Sequence, residues 1–300
     1  MRSCVGILAA LVALPIACRR VRRRAPTVSL WFGGDTHLGA RAHALFDRAP
    51  AELRGAVGVV NLEGPLEDAP PQSTPRRLTS STRSLAALRE AGVRVVTVAN
   101  NHSHDLGDDG LARTVAAVRS ANLTPAGGPA GDATLTVYGR RLVIAARDLT
   151  DGVPSDLAGS FARARRDGGT LIVTFHVTAP ALYLPTSALR EATRISLEAG
   201  ARVVVAHGTH SVAPAERRGQ SVIAWGLGNL TFDCDCTRET EGMIVRVDLW
   251  GAHTRARVIP IDAGINGAPA TLAREPAALY DLLATLGSTT LRRQGRVAFF

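Results

Sequence analysis

The chain runs to 300 residues with 46% hydrophobic content, enough to bury a real core in one large α/β domain or two small ones, and we read one domain with short ends. The formal charge of +9 comes from 35 basic and 26 acidic residues; 6 arginines and no acid lie in residues 1–24, so the rest carries only 29 − 26 = +3. No basic stripe interleaved with aromatics follows, which excludes nucleic acid as a partner. Every basic residue is arginine, a pattern of genomic base composition rather than of a site, since no fork or stacking role needs total replacement of lysine.

The chain opens with Arg2 ahead of an apolar stretch from Val5 to Ala17, the pattern of a signal h-region and too short to span a bilayer comfortably. Leu14-Pro15-Ile16-Ala17-Cys18 resembles a loose bacterial lipobox with Pro15 out of pattern, in which Cys18 would be lipidated and serve as a membrane anchor. The run Arg19-Arg20-Val21-Arg22-Arg23-Arg24 pulls the other way, because positive charge favours the cytoplasmic side. The expectation is an exported, envelope or membrane-anchored protein; a tethered body facing inward is the alternative.

From residue 28, short β-branched runs alternate with amphipathic segments. VSLWFGG, AVGVVNLE, VRVVTVAN, LIVTFH, RVVVAH and SVIAWGLGNL read as strands, and the stretches near 40–53, 80–91, 110–121, 155–167 and 187–199 as helices, which is α/β alternation. Ser80 or Ser81 caps the helix at 80–91, Leu85, Leu88 and Ala91 recur at helical spacing, and Gly92 stops it. TLTVYGRRLVIAA predicts a hairpin at Tyr138-Gly139-Arg140, and MIVRVDLW with TRARVIPI a second antiparallel pair, so the sheets are mixed. Residues 68–79 are a Pro-rich loop. The expected organisation is a targeting segment at 1–24, the body at 25–265 and a tail at 266–300 with one helix, EPAALYDLLATL. Cys4 and Cys18 fall in the targeting segment, leaving Cys234 and Cys236 for the body; unpaired thiols, a vicinal-type bridge and a metal role all stay open.

Ligand-type side chains gather at strand ends: Asp35 and His37 after VSLWFG, Asn61 and Glu63 after AVGVV, Asn100, Asn101, His102, His104 and Asp105 after VRVVTVA, His176 after LIVTF, and His207 and His210 after RVVVA. Sites in open α/β sheets collect beyond the carboxyl ends of strands. Each residue alone has a structural explanation, and the argument is that they recur together. Asp35 and His37, two apart, share a face on an extended backbone. Carboxylates, imidazoles and amide oxygens suit one or two divalent ions of Mn, Zn or Fe. In Gly226-Leu227-Gly228-Asn229 the glycines either allow a close backbone approach, with Asn229 anchoring the site through its amide, or make a tight turn.

GDTHLG, NLEGPL, VANNHSHDLG, the HV after LIVTF, HGTH and LGNLTFD, in this order, resemble the CapA family of capsule (poly-γ-glutamate) biosynthesis proteins. The resemblance covers about residues 28–265 and implies the mixed-sheet α/β sandwich of calcineurin-like metallophosphoesterases. It further implies Asp35 and His37 on one metal, Glu63 as bridging carboxylate, and Asn101, His176 and His207 or His210 on a second. His102 would be the general acid, oriented by Asp105, with Asn61, Asn100 and Asn229 facing substrate. The implied substrate is an anionic envelope polymer or a phosphoester, with capsule synthesis components as partners. Two departures stand out: Gly208 occupies a position where the family carries a histidine, and no acidic residue follows His176 within the next four. They keep open a non-catalytic assembly factor, beside a generic envelope phosphoesterase.

Overall fold

A computed structural model describes residues 28–40, 43–70, 73–74, 76–178, 183–234, 239–288 and 290–300. The targeting segment at 1–24 and Cys236 lie outside the described residues. Two mixed sheets face each other. The main path of the first runs Arg292–Gln294, Val297–Phe299, His253–Asp262, Glu241–Trp250, Val28–His37, Val57–Leu62, Val93–Thr97, Thr124–Ala126; the second runs Ala215–Arg218, Ser221–Ala224, Val203–His207, Thr170–His176, Arg140–Asp148, Ala133–Val137. Both predicted hairpins form, the first around Tyr138 and Gly139, each at positive φ.

The period of two along each strand explains why this is a sandwich with helices outside. Val28, Leu30, Phe32, Val59 and Val95 point inward and meet Ile144, Ile172 and Val205 of the second sheet. Their neighbours Trp31, Val60 and Val96 point outward and are covered by Leu85 and Leu88 of the helix Leu85–Glu90 and by Leu111, Val115 and Val118 of the helix Gly107–Ser120. On the other side Val173, Phe175 and Val204 pack under Leu157 and Phe161 of Leu157–Ala164 and Leu189 and Ala192 of Ser187–Glu198. The result is an α/β sandwich of four layers. Among the described residues no helix is long and apolar enough to cross a membrane.

Two local expectations are corrected, and one set of open readings is narrowed. The stretch near 40–53 is not helical over its described residues; it holds only a 3-10 turn at Ala51–Leu53. Leu45 and Phe46 are buried instead by pairing with Ala270, whose N–H donates to the Leu45 carbonyl at 3.0 Å and whose carbonyl accepts from Asp47 at 3.1 Å, so a distant extended partner overrides local propensity. The C-terminal stretch carries more than the helix Pro276–Thr285: Val297–Phe299 pairs with His253–Asp262, and Leu279, Tyr280 and Leu283 enter the core between the sheets. Cys234 is disulfide-bonded, which removes the free-thiol and thiolate-ligand readings for that residue.

Candidate functional site

Five parallel strands end at one edge of the sandwich and deliver the polar side chains there. Asp35 is held first by backbone. A Cβ on Gly34 would lie 1.8 Å from the Gly228 carbonyl, and that close approach lets the Asp35 N–H donate to it at 3.0 Å. The carboxylate accepts Asn61 Nδ2 on Oδ1 at 3.0 Å and the Gly208 N–H at 3.1 and 2.9 Å on its two oxygens. Of the two readings of the 226–229 segment, the close backbone approach is the one seen.

Around Asp35 stand two sets of ligand atoms, each within 4.8 Å: Asp35 with His176 and His207, and Asp35 with Glu63 and His210. His207 is the last residue of its strand and pairs in regular register with His176, so it enters without the bulge that a shifted histidine would require. The two rings face each other with Nδ1 atoms 3.1 Å apart. His176 Nε2 is 2.7 Å from Asn101 Oδ1; because an amide oxygen only accepts, Nε2 carries the proton and Nδ1 keeps its lone pair for the pocket. His210 Nδ1 likewise donates, with Asn229 Oδ1 at 2.9 Å and Asp35 Oδ2 at 3.2 Å, while its Nε2 lies 3.8 Å from Glu63 Oε1.

Burial alone would raise Asp35, but the hydrogen bond from His210 and the nearby His207 and His176 hold it well below the usual carboxylate range. Burial and then the Asp35 charge push Glu63 well above it. Desolvation holds His207 down to about 4 and His176 well below its ordinary value. Against its own burial, Asp35 and Glu63 lift His210 to about 10. Without a cation the pocket therefore balances its charge with protons. Glu63 Oε2 and His207 Nε2 are buried without a hydrogen-bond partner, each a cost on the order of 1–3 kcal/mol. Two carboxylates and three imidazoles in this state fit a divalent ion, whose binding would displace those protons.

The loop after Val93–Thr97 explains its own density of polar residues. Asn100 Nδ2 donates to Asn61 Oδ1 at 3.0 Å and to the Leu62 carbonyl at 2.8 Å. Ser103 Oγ donates to the Val98 carbonyl and accepts from Asn100 N. His102 Nδ1 lies 2.7 Å from Asp105 Oδ2, which also accepts the Leu78 N–H at 2.6 Å. His104 turns outward to Asp108. A cleft of about 180 Å³ lined by Tyr183, His210, Ser211, Val212, Glu239 and Thr240 leads to His210; a larger one of about 770 Å³ beside Arg190 and Trp225 holds none of the ligand set.

The structure redistributes three expected roles. Asp35, rather than Glu63, is the carboxylate common to both ligand groups. His37 joins neither: register shifts between Phe32 and Asp35 and between Asp35 and Thr36 break the two-residue alternation. Its Nε2 lies 3.1 Å from the Thr79 carbonyl and 2.9 Å from Ser73 Oγ, and its ring packs on Phe232. Asn101 faces the pocket through His176, not directly. The Gly208 N–H and the Ser103 hydroxyl were not anticipated; the signal for Gly208 was a glycine at a strand end, where backbone approaches closely.

The family model described as Bacterial capsule synthesis protein PGA_cap matches residues 18–148 and 138–234. The chain is 28% identical over 208 residues to the PGA biosynthesis protein CapA of Bacillus subtilis (strain 168), covering 62% of this chain and 55% of that one. It is 24% identical over 200 residues to the Capsule biosynthesis protein CapA of Bacillus anthracis, covering 57% and 48%. It thus spans about half the length of these curated relatives. With the family match reaching from residue 18 to residue 234 over the strands that carry the Asp35 pocket, the chain belongs to the bacterial capsule synthesis protein family PGA_cap.

Proposed function

We propose that this chain is a CapA-like protein of capsule biosynthesis that acts on or assembles an anionic envelope polymer of the poly-γ-glutamate type, through a cation site centred on Asp35. The observation that carries the reading is one buried carboxylate shared by two sets of nitrogen and oxygen ligands in a chain of this family. Asp35, His176 and His207 would hold one ion of Mn, Zn or Fe; Asp35, Glu63 and His210 would hold a second. Bound cations supply Lewis acidity and lower the pKa of water. The protein's own part is to hold Asp35 ionised, to fix the His176 tautomer through Asn101, and to keep the Asn61–Asn100 pair rigid beneath the pocket. His102 would give a proton to the leaving group, with Asp105 holding its Nδ1 side. Residues 1–24 would direct export and anchor the chain at the membrane through Cys18, ahead of the body at 25–265 and the tail at 266–300, with capsule synthesis components as neighbours.

A second reading, an assembly factor without catalysis, draws on Gly208, which offers an N–H where the family carries an imidazole. Elemental analysis of purified full chain after loading with Mn²⁺ or Zn²⁺ separates them. The expected stoichiometry is about two per chain for wild type, about one for Glu63→Gln and for His207→Ala, and near zero for Asp35→Asn, which serves both groups. Wild type that retains no metal removes the cation site and leaves the assembly factor.

A further inference from the structure

We propose that one ordered water molecule sits inside the sandwich beneath the Asp35 pocket, held by Thr174, and that it is the hydrogen-bond partner of His207 Nε2 that frees Nδ1 of the same ring for a cation. The use of the water, though not the water itself, rests on the reading of the pocket as a cation site. A cavity of about 10 Å³ lies between the two sheets, with Phe32, Asn61, Thr97, Thr174, Val205 and His207 in its walls. None of these residues is more than 4% exposed. The volume suits a single water, which needs ~10–15 Å³. The walls also carry the polar atoms that a buried water requires. Thr174 Oγ1 and His207 Nε2 are both buried without a hydrogen-bond partner in the protein. Thr97 Oγ1 has only a long bond of 3.4 Å to the Val60 carbonyl. An internal water typically makes about three hydrogen bonds, and these three groups supply them.

The alternation along the strands explains the placement. Ile172 and Val205 of one sheet and Val95 of the other face the space between the sheets, so Thr174, His207 and Thr97, each two residues further on, face it too. Packing does not ask for a hydroxyl at Thr174: Phe32 and Val205 beside it are apolar, valine has the same shape, and a hydroxyl left dry in such a place is a cost. Water suits His207 because it both donates and accepts. A neutral imidazole carries one proton. With that proton on Nδ1, His207 donates to the lone pair of His176 Nδ1, 3.1 Å away, and Nε2 accepts from the water. A cation held by Asp35, His176 and His207 would take the Nδ1 lone pair; one proton then leaves Nδ1, one is taken up at Nε2, the ring stays neutral, and Nε2–H donates to the water. A carbonyl at Nε2 could serve the second state alone, and a hydrocarbon neither. Thr174 is therefore a positioning residue, acting through the water on the ring that meets the cation.

The test uses the full chain, metal-free and loaded with Zn²⁺. High-resolution crystallography of the metal-free protein should show one water within hydrogen-bond distance of both Thr174 Oγ1 and His207 Nε2. Nitrogen NMR of the imidazoles should find the His207 proton on Nδ1 without Zn²⁺ and on Nε2 with it. Thr174→Val should bind Zn²⁺ about 10–100-fold more weakly, and Thr174→Ser, which keeps the hydroxyl, should bind close to wild type. The sign of the melting shift separates this role from packing. Removing a partner of the water lowers the melting temperature by about 1–3 °C, whereas deleting an orphan hydroxyl from a dry core raises it. Should Thr174→Val fail to fold, the wild-type density and tautomers decide. A dry cavity in wild type, a Thr174→Val protein that melts higher, or one that binds Zn²⁺ as wild type does overturns the proposal. Wild type that takes up no Zn²⁺ removes the cation reading and with it the use assigned to the water, while the density still decides whether the water is there.

Discussion

Gly208→Ala tests whether the backbone around Asp35 is built to the tolerance described above. Gly208 has φ of 99°, and an added Cβ would lie 2.7 Å from His176 Nε2, 2.7 Å from the Val177 carbonyl oxygen and 2.8 Å from His176 Cε1. None of these neighbours is a flexible tip: the carbonyl is main chain, and the His176 ring is 1% exposed and held through Asn101. The backbone strain costs about 1–3 kcal/mol, and forcing a methyl into the packed space costs about 1–3 kcal/mol more. Taking about 4 kcal/mol in all, and about 2 °C per kcal/mol for a chain of this size, the melting temperature should fall by roughly 8 °C. His176 must move and the Gly208 N–H must leave the Asp35 carboxylate, so cation affinity should fall by about 10–100-fold, as it does when a group supporting a ligand is lost. Gly219→Ala is the control, since Gly219 has φ of 60° and nothing within 4 Å of its added Cβ; it pays the strain without the clash. Calorimetric melting and titration with Mn²⁺ or Zn²⁺ read both effects. If Gly208→Ala melts with Gly219→Ala and binds the ion as wild type does, the tightness of this corner is refuted.

Two further outcomes follow from the site's protons. In metal-stripped protein, His37 and His207 are held down to about 4 by burial against an ordinary 6.5; the unfolded chain then takes up protons that the folded one refuses. Stability should fall as pH drops from about 6.5 towards 4, by up to ~3 kcal/mol for each ring. His176 adds to this loss and the raised Glu63 opposes it; urea denaturation that is flat or rising across that window contradicts the burial argument. On the proposed reading of His102 as general acid, His102→Ala should lower metal-dependent hydrolysis of a generic phosphodiester or a γ-glutamyl polymer by about 10²–10⁴. Asp105→Asn should lower it less, because its amide oxygen can still accept from His102 Nδ1. Unchanged turnover in His102→Ala removes the general acid.

What could be read from the residues, and what could not, divides along a physical line. Which side chains gather was legible: strand-end placement follows from the alternation of apolar runs and helices, and Asp35, Glu63, Asn101, His176, His207 and His210 end adjacent parallel strands for that reason. How they are shared out was not, because it turns on register at the ångström level. Gly33 and Gly34 permit a shift that the two-residue rule does not anticipate, and the shift sends His37 to Thr79 while Asp35 stays between two ligand sets. Leu45 and Phe46 repeat the lesson in the fold, since helical spacing lost to a pairing with Ala270 more than 200 residues away. Gly208 is the sharpest case: in the sequence it is a ligand missing from a family pattern, whereas in space its N–H is one of the donors that hold the Asp35 carboxylate in place. A substitution that deletes an imidazole and supplies a main-chain donor changes how a carboxylate is held without dissolving the pocket: Asp35 still stands between His176 with His207 on one side and Glu63 with His210 on the other.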